Sequence, residues 1–250
     1  MLKTSYFVLL LWLICSHPQV LALEANRKGD YTIITTINEL LGEQAARKYE
    51  AVMTINEDIS WQVTVPATYD PAVPAGVMVY ISPSPSGEMP KGWKSLMNKH
   101  NLIWIAADKS GNKVITPHRI TFALLGSNLL QSLYSIDKSR IYVAGFSGGG
   151  RVSSILATRY PEFFKGAIYN SGVTFLKEIV SENFQSIKNN RYVFITGRDD
   201  FNFDDTKRVY RKYKKTGLDN LKLMIIPRHG HSNPNKKYFE KAIMYLDGKG

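Results

Sequence analysis

The sequence predicts a single α/β domain, in which a mostly parallel central sheet carries an antiparallel strand pair near its N-terminal side and helices on both faces. Three observations predict it. Short apolar runs alternate with helix-length amphipathic segments after about residue 75, and no internal repeat or heptad run interrupts them. Once a leader is set aside, about 225 residues remain, enough for one core without covalent staples.

The leader is residues 1–22. Lys3 precedes an apolar run from Tyr6 to Cys15, and Val20-Leu21-Ala22 has the small-residue pattern of a cleavage site. This segment reads as a secretory signal peptide, so the protein is expected in a periplasm or outside the cell. The run is roughly half of the 20 residues that a spanning helix needs. Leu13-Ile14 before Cys15 does not fit a lipid-attachment site. Cys15 is the only cysteine, so the mature chain is expected to have no disulfide and no thiolate nucleophile.

Residues 23–48 read as a helix-containing lead-in, and 49–250 as the domain. Segments 49–55 and 59–66 read as the antiparallel pair, with Ile59, Trp61, Val63 and Val65 alternating in the second. The parallel part follows, with strands over 76–82, 102–106, 141–144, 166–169, 192–196 and 221–226. Helices are predicted over 93–99, 117–134, 148–159, 204–216 and 234–246. Pro117 suits a first helical turn, Tyr160-Pro161 ends the helix before it, and Gly217 stops the fourth.

The formal charge is +11, and cleavage of the leader removes one lysine and no acid. A strongly basic exported protein suits an anionic envelope surface as well as it suits nucleic acid. The densest cluster, Lys207, Arg208, Arg211, Lys212, Lys214 and Lys215, falls at helical spacing and reads as a solvated helix face. No nucleic-acid role is expected.

The chemistry centres on Gly145-Phe146-Ser147-Gly148-Gly149. This pentapeptide fits a nucleophile elbow, a strained strand-to-helix turn that projects the serine hydroxyl above the sheet. Such a turn brings the backbones two residues either side of the serine together, which demands small residues there. Ile141-Tyr142-Val143-Ala144 supplies the strand before it, and Val152, Ile155 and Leu156 give the helix after it an inward stripe. A phosphate-binding loop is excluded, because Arg151 and Val152 stand where its lysine and hydroxyl belong.

A serine hydroxyl needs a histidine base, and the histidine needs an acid that fixes its tautomer. The strand 192–196 leads into Asp199 and Asp200, and the strand 221–226 into His229 and His231. Asp200 and His231 are chosen, with Asp199 and His229 as their rivals. The oxyanion requires two N–H donors. Gly148 supplies one, and Ser84 is the choice from the loop Ser82-Pro83-Ser84-Pro85-Ser86-Gly87, whose prolines cannot donate. His100 and His118 find no partner and read as structural. No cofactor or metal is implied.

With these residues in view, the chain resembles the α/β-hydrolase superfamily and, within it, esterases similar to polyhydroxybutyrate depolymerases and feruloyl esterases. The likeness covers roughly residues 49–246. It rests on Asp137-Lys138-Ser139-Arg140-Ile141-Tyr142-Val143, the elbow, Tyr160-Pro161-Glu162-Phe163-Phe164, Gly197-Arg198-Asp199-Asp200 and Gly230-His231-Ser232-Asn233-Pro234. The resemblance implies an α/β-hydrolase fold and favours Asp200 and His231, the first standing three residues after a glycine and the second directly after one. Ser82-Pro83 departs from the His-Gly that many relatives carry in the oxyanion loop. With no polymer-binding module or long lid insertion in the sequence, a compact carboxylic-ester hydrolase is expected. A peptidase or amidase on the same scaffold and a non-catalytic envelope-binding protein are the alternatives.

Overall fold

In the computed structural model, which describes residues 25–249, eight strands form one sheet in the order β1-β2-β4-β3-β5-β6-β7-β8. They are β1 (Gly29–Thr35), β2 (Ile59–Val65), β3 (Ala75–Ile81), β4 (Leu102–Ala107), β5 (Ile136–Phe146), β6 (Gly166–Asn170), β7 (Arg191–Gly197) and β8 (Leu221–Ile226). β1 and β2 are antiparallel to each other, β2 is antiparallel to β4, and every neighbouring pair from β4 through β8 is parallel. The signal-peptide reading falls on residues 1–22, outside the described residues.

The antiparallel pair exists, but one of its strands differs from the sequence expectation. β2 pairs with β1, from within the segment read as a lead-in, rather than with residues 49–55. The physical reason is periodicity. Tyr49 and Met53 are the buried residues of that segment and stand four apart, a helical spacing. The chain there closes a 3₁₀ turn (Arg47–Tyr49), and the Met53 N–H donates to the Tyr49 carbonyl at 2.9 Å. β1 instead buries Tyr31, Ile33 and Thr35 in strict alternation.

Every residue of β3, β4 and β6 is buried, as expected for parallel strands covered on both faces. Val77, Val79 and Ile81 pack on one face and Met78 and Tyr80 on the other. In chain order the helices are α1 (Ile37–Leu41), α2 (Glu43–Ala46), α3 (Lys94–His100), α4 (Thr116–Leu133), α5 (Gly148–Arg159), α6 (Lys177–Glu182), α7 (Phe184–Ile187), α8 (Phe203–Lys215) and α9 (Lys236–Leu246). The apolar stripes of α4, α5 and α8 cover the first face, and those of α3 and α9 the second. On the second face Tyr80, Trp93, Trp104 and Phe239 form one aromatic cluster, with Trp93 and Phe239 stacked. α6 and α7, not anticipated from the sequence, fill the β6–β7 connection.

The basic face of α8 is exposed at Arg208, Arg211, Lys212, Lys214 and Lys215, while Val209 and Tyr213 point into the core. Arg208 pairs closely with Asp205, and Lys207 lies over the Phe203 ring. These are contacts of a solvated helix surface.

Candidate active site

Ser147 occupies the single residue between the end of β5 and the start of α5. Its φ of 55° and ψ of −121° lie in a region that L-residues avoid, a strain that persists only where the surroundings fix it. They do so here. The Ser147 N–H donates to the Asn170 carbonyl at 2.8 Å. A Cβ at Gly145 would sit 2.4 Å from the Gly149 carbonyl carbon, and one at Gly149 would sit 1.8 Å from the Ile81 carbonyl oxygen. Both glycines therefore let β5, α5 and the end of β3 close on one another, as the elbow pattern requires.

Ser147, His231 and Asp200 converge. Ser147 Oγ lies 2.9 Å from His231 Nε2, and His231 Nδ1 lies 2.9 Å from Asp200 Oδ1. Beside a carboxylate, Nδ1 carries the proton and donates it, leaving Nε2 to accept from the serine hydroxyl. The Asp200 side chain is fully buried and His231 partly exposed, which places the carboxylate inside and the imidazole at the surface of the site. The Asn202 N–H also donates to Asp200 Oδ1, at 2.7 Å. Asn202, not Asp200, is the N-cap of α8.

The rival residues stand elsewhere. Asp199 is exposed, and its N–H donates to the His229 carbonyl at 3.0 Å. The His229 ring engages Ser232, with Nε2 3.1 Å from its Oγ. His100 pairs with Glu240, and the His118 ring meets the Val52 carbonyl.

Residues not singled out from the sequence hold the loop just after His231 in place. Asn233 Oδ1 accepts from the Tyr80 hydroxyl at 2.9 Å and from Asn170 Nδ2 at 3.3 Å, and the Trp93 indole donates to the Pro234 carbonyl. Burial pushes the Tyr80 phenol well above its ordinary range, so it remains a donor. Around the imidazole stand Phe146, at 4.7 Å between ring centres, and Phe201, at 4.0 Å.

The loop after β3 is tied down along its length. The Asn112 N–H donates to the Pro83 carbonyl, and the Gly87 N–H to Asp108 Oδ1. Arg119 Nη2 donates to the Ser82 carbonyl at 2.9 Å, a carbonyl at a peptide bond with no N–H. Arg119 is buried and has no carboxylate partner among the described residues. Burial pushes its guanidinium down to about 10, which leaves it a cation at neutral pH. The Ser84 N–H donates within the loop, to Ser82 Oγ at 3.2 Å. The Gly148 backbone, at the open N-terminus of α5, is covered by Asn112, whose Oδ1 lies 2.1 Å from where a Cβ would be.

A strained serine at a strand-to-helix turn, flanked by a mostly parallel eight-stranded sheet and met by a histidine after the last strand, decides the architecture. The chain has the α/β-hydrolase fold. Known proteins agree. The model of the prolyl oligopeptidase family matches residues 123–186, the stretch from α4 through the elbow to α7. A poly(3-hydroxybutyrate) depolymerase of Ralstonia pickettii is 28% identical over 96 residues, covering 32% of this chain and 20% of its own length. Among solved structures, the feruloyl esterase module from Clostridium thermocellum, complexed with sinapinate, superposes with a TM-score of 0.63 at 14% identity, over 94% of each chain. The Porphyromonas gingivalis dipeptidyl peptidase 4 superposes with a TM-score of 0.59 at 14% identity, over 88% of this chain and 36% of its own. The chain thus spans about a fifth of the curated relative and about a third of that peptidase.

Proposed function

We propose that this chain is an exported serine hydrolase that cleaves carboxylic esters through an acyl-enzyme. The observation that carries the reading is the pair of 2.9 Å contacts that links Ser147 Oγ, His231 and the buried Asp200. Ser147 Oγ attacks the acyl carbon while its proton passes to His231 Nε2, and Asp200 stabilises the resulting imidazolium. The tetrahedral oxyanion is held by the Gly148 N–H, with the Ser84 N–H, which donates to Ser82 Oγ in the structure, as the proposed second donor. As the carbon–oxygen bond to the alcohol breaks, His231 returns the proton to the leaving oxygen. Water, deprotonated by the same imidazole, then releases the acid. A monomeric or polymer-derived ester is the proposed substrate.

Fluorophosphonate labelling tests the nucleophile. The purified protein is expected to take one label, and Ser147→Ala to take none; undiminished labelling of that variant removes the assignment. The prolyl oligopeptidase match favours peptide or amide cleavage as a second reading. Aryl esters assayed beside aminoacyl arylamides separate the two: ester turnover is expected to be faster, and faster amide turnover selects the peptidase. Export predicts that protein recovered from the envelope or medium begins at Leu23; an intact Met1 on that protein contradicts cleavage.

A further inference from the structure

Phe201 is 78% exposed, the most exposed of the large apolar side chains among the described residues, and it stands beside the imidazole. Its backbone position is fixed. On either side of it in the chain, the Asn202 N–H donates to Asp200 Oδ1 at 2.7 Å and the Phe203 N–H to the Asp200 carbonyl at 2.9 Å. A tight turn of this kind is well served by a polar residue, so the turn itself does not call for a phenyl ring. The His231 ring lies 4.0 Å away at 31°, and most of the Phe201 ring surface remains open to solvent.

We infer that Phe201 is a specificity-determining residue that forms one wall of the leaving-group subsite and selects esters of aromatic or bulky apolar alcohols. The inference rests on the ester-hydrolase reading above. In that reaction His231 Nε2 delivers its proton to the alcohol oxygen, so that oxygen must come within hydrogen-bond distance of the imidazole. The carbon skeleton attached to it is then carried against whatever apolar surface flanks the imidazole. Phe146 flanks it too but is mostly withdrawn from solvent, whereas Phe201 offers free ring surface at that place. An apolar alcohol covers this surface and removes it from water, and an aromatic one adds ring–ring contact. A small alcohol leaves it wet.

Two esters with one acyl group, ethyl acetate and 2-phenylethyl acetate, test this, because both leave as alkoxides that need the proton from His231. The wild-type protein is expected to favour the phenylethyl ester in kcat/KM by about tenfold or more, and Phe201→Ala to lower that ratio by about tenfold, mainly through KM. Competitive inhibition by 2-phenylethanol should weaken in the same variant. A ratio unchanged while both esters slow equally shows that the ring only positions the imidazole, and overturns the inference. A ratio and inhibition that do not move at all overturn it as well. Fluorophosphonate labelling of Phe201→Ala reports that the variant is folded with a competent serine. A wild-type protein that takes the label but cleaves neither ester strikes at the ester reading itself, and the subsite falls with it.

Discussion

Asp200→Asn is expected to lower kcat on an aryl ester by about 10⁴-fold, and Asp199→Asn by less than about threefold. The two side chains are adjacent in sequence and unequal in setting. Asp200 is buried with Oδ1 on the His231 Nδ1–H, whereas Asp199 is exposed and touches the histidine loop only through its backbone N–H. An amide at 200 can present its NH₂ to Nδ1 and so favour the tautomer that holds the proton on Nε2, where it blocks acceptance from Ser147. An amide at 199 leaves the backbone contact untouched. Steady-state rates for the two variants, with thermal unfolding to show that both are folded, decide the matter. A larger loss at 199 moves the acid there.

Gly149→Ala is expected to destabilise the protein by about 3 kcal/mol or more and to abolish activity. Its Cβ would stand 1.8 Å from the Ile81 carbonyl oxygen, where real contacts need more than 3.0 Å, and the obstacle is backbone rather than a side chain that can swing away. The end of β3 or the start of α5 must move, and Ser147 moves with it. Gly230→Ala is the control: a Cβ there meets nothing within 4 Å and the backbone angle is ordinary. It is expected to change stability by less than about 0.5 kcal/mol. Urea titrations of the two variants give the comparison, and a Gly149→Ala protein as stable as wild type contradicts the tight elbow.

The parallel half of the sheet was legible because its strands are buried on both faces and leave unbroken apolar runs, as in Ile141-Tyr142-Val143-Ala144. The elbow is legible because the turn at Ser147 brings backbones close two residues either side and so demands glycine there. β1 was not. Its buried residues alternate, but they are interspersed with Asp30, Thr32 and exposed Ile34, and its partner lies some 30 residues away. Residues 49–55 look more like a strand because Val52, Met53 and Ile55 are apolar, and the burial of Tyr49 and Met53 together with the turn hydrogen bonds reveals the helical spacing.

In the site, the three residues brought together are those whose chemistry is tied to the ends of predicted strands. The supporting side chains lacked such a marker. Arg119 lies within a helix whose pattern gives no hint that it reaches the Ser82 carbonyl, and Asn233 acts on Tyr80, 153 residues earlier. Phe201 follows the acid directly, so the signal was present: a bulky apolar residue in a turn between two polar neighbours.

The anchoring of the histidine loop bears on how the molecule comes apart. Asn233 and Pro234 are gripped by Tyr80 of β3, Trp93 before α3 and Asn170 of β6, segments from three separate regions of the chain. The chain just after His231 is therefore held from distant parts of the sequence rather than by its own neighbours. Displacing Asn233 and Pro234 means breaking contacts with the central strands, the last parts of a sheet to open in slow fluctuations. The downstream anchor of the histidine loop is thus a cooperative property of the assembled sheet.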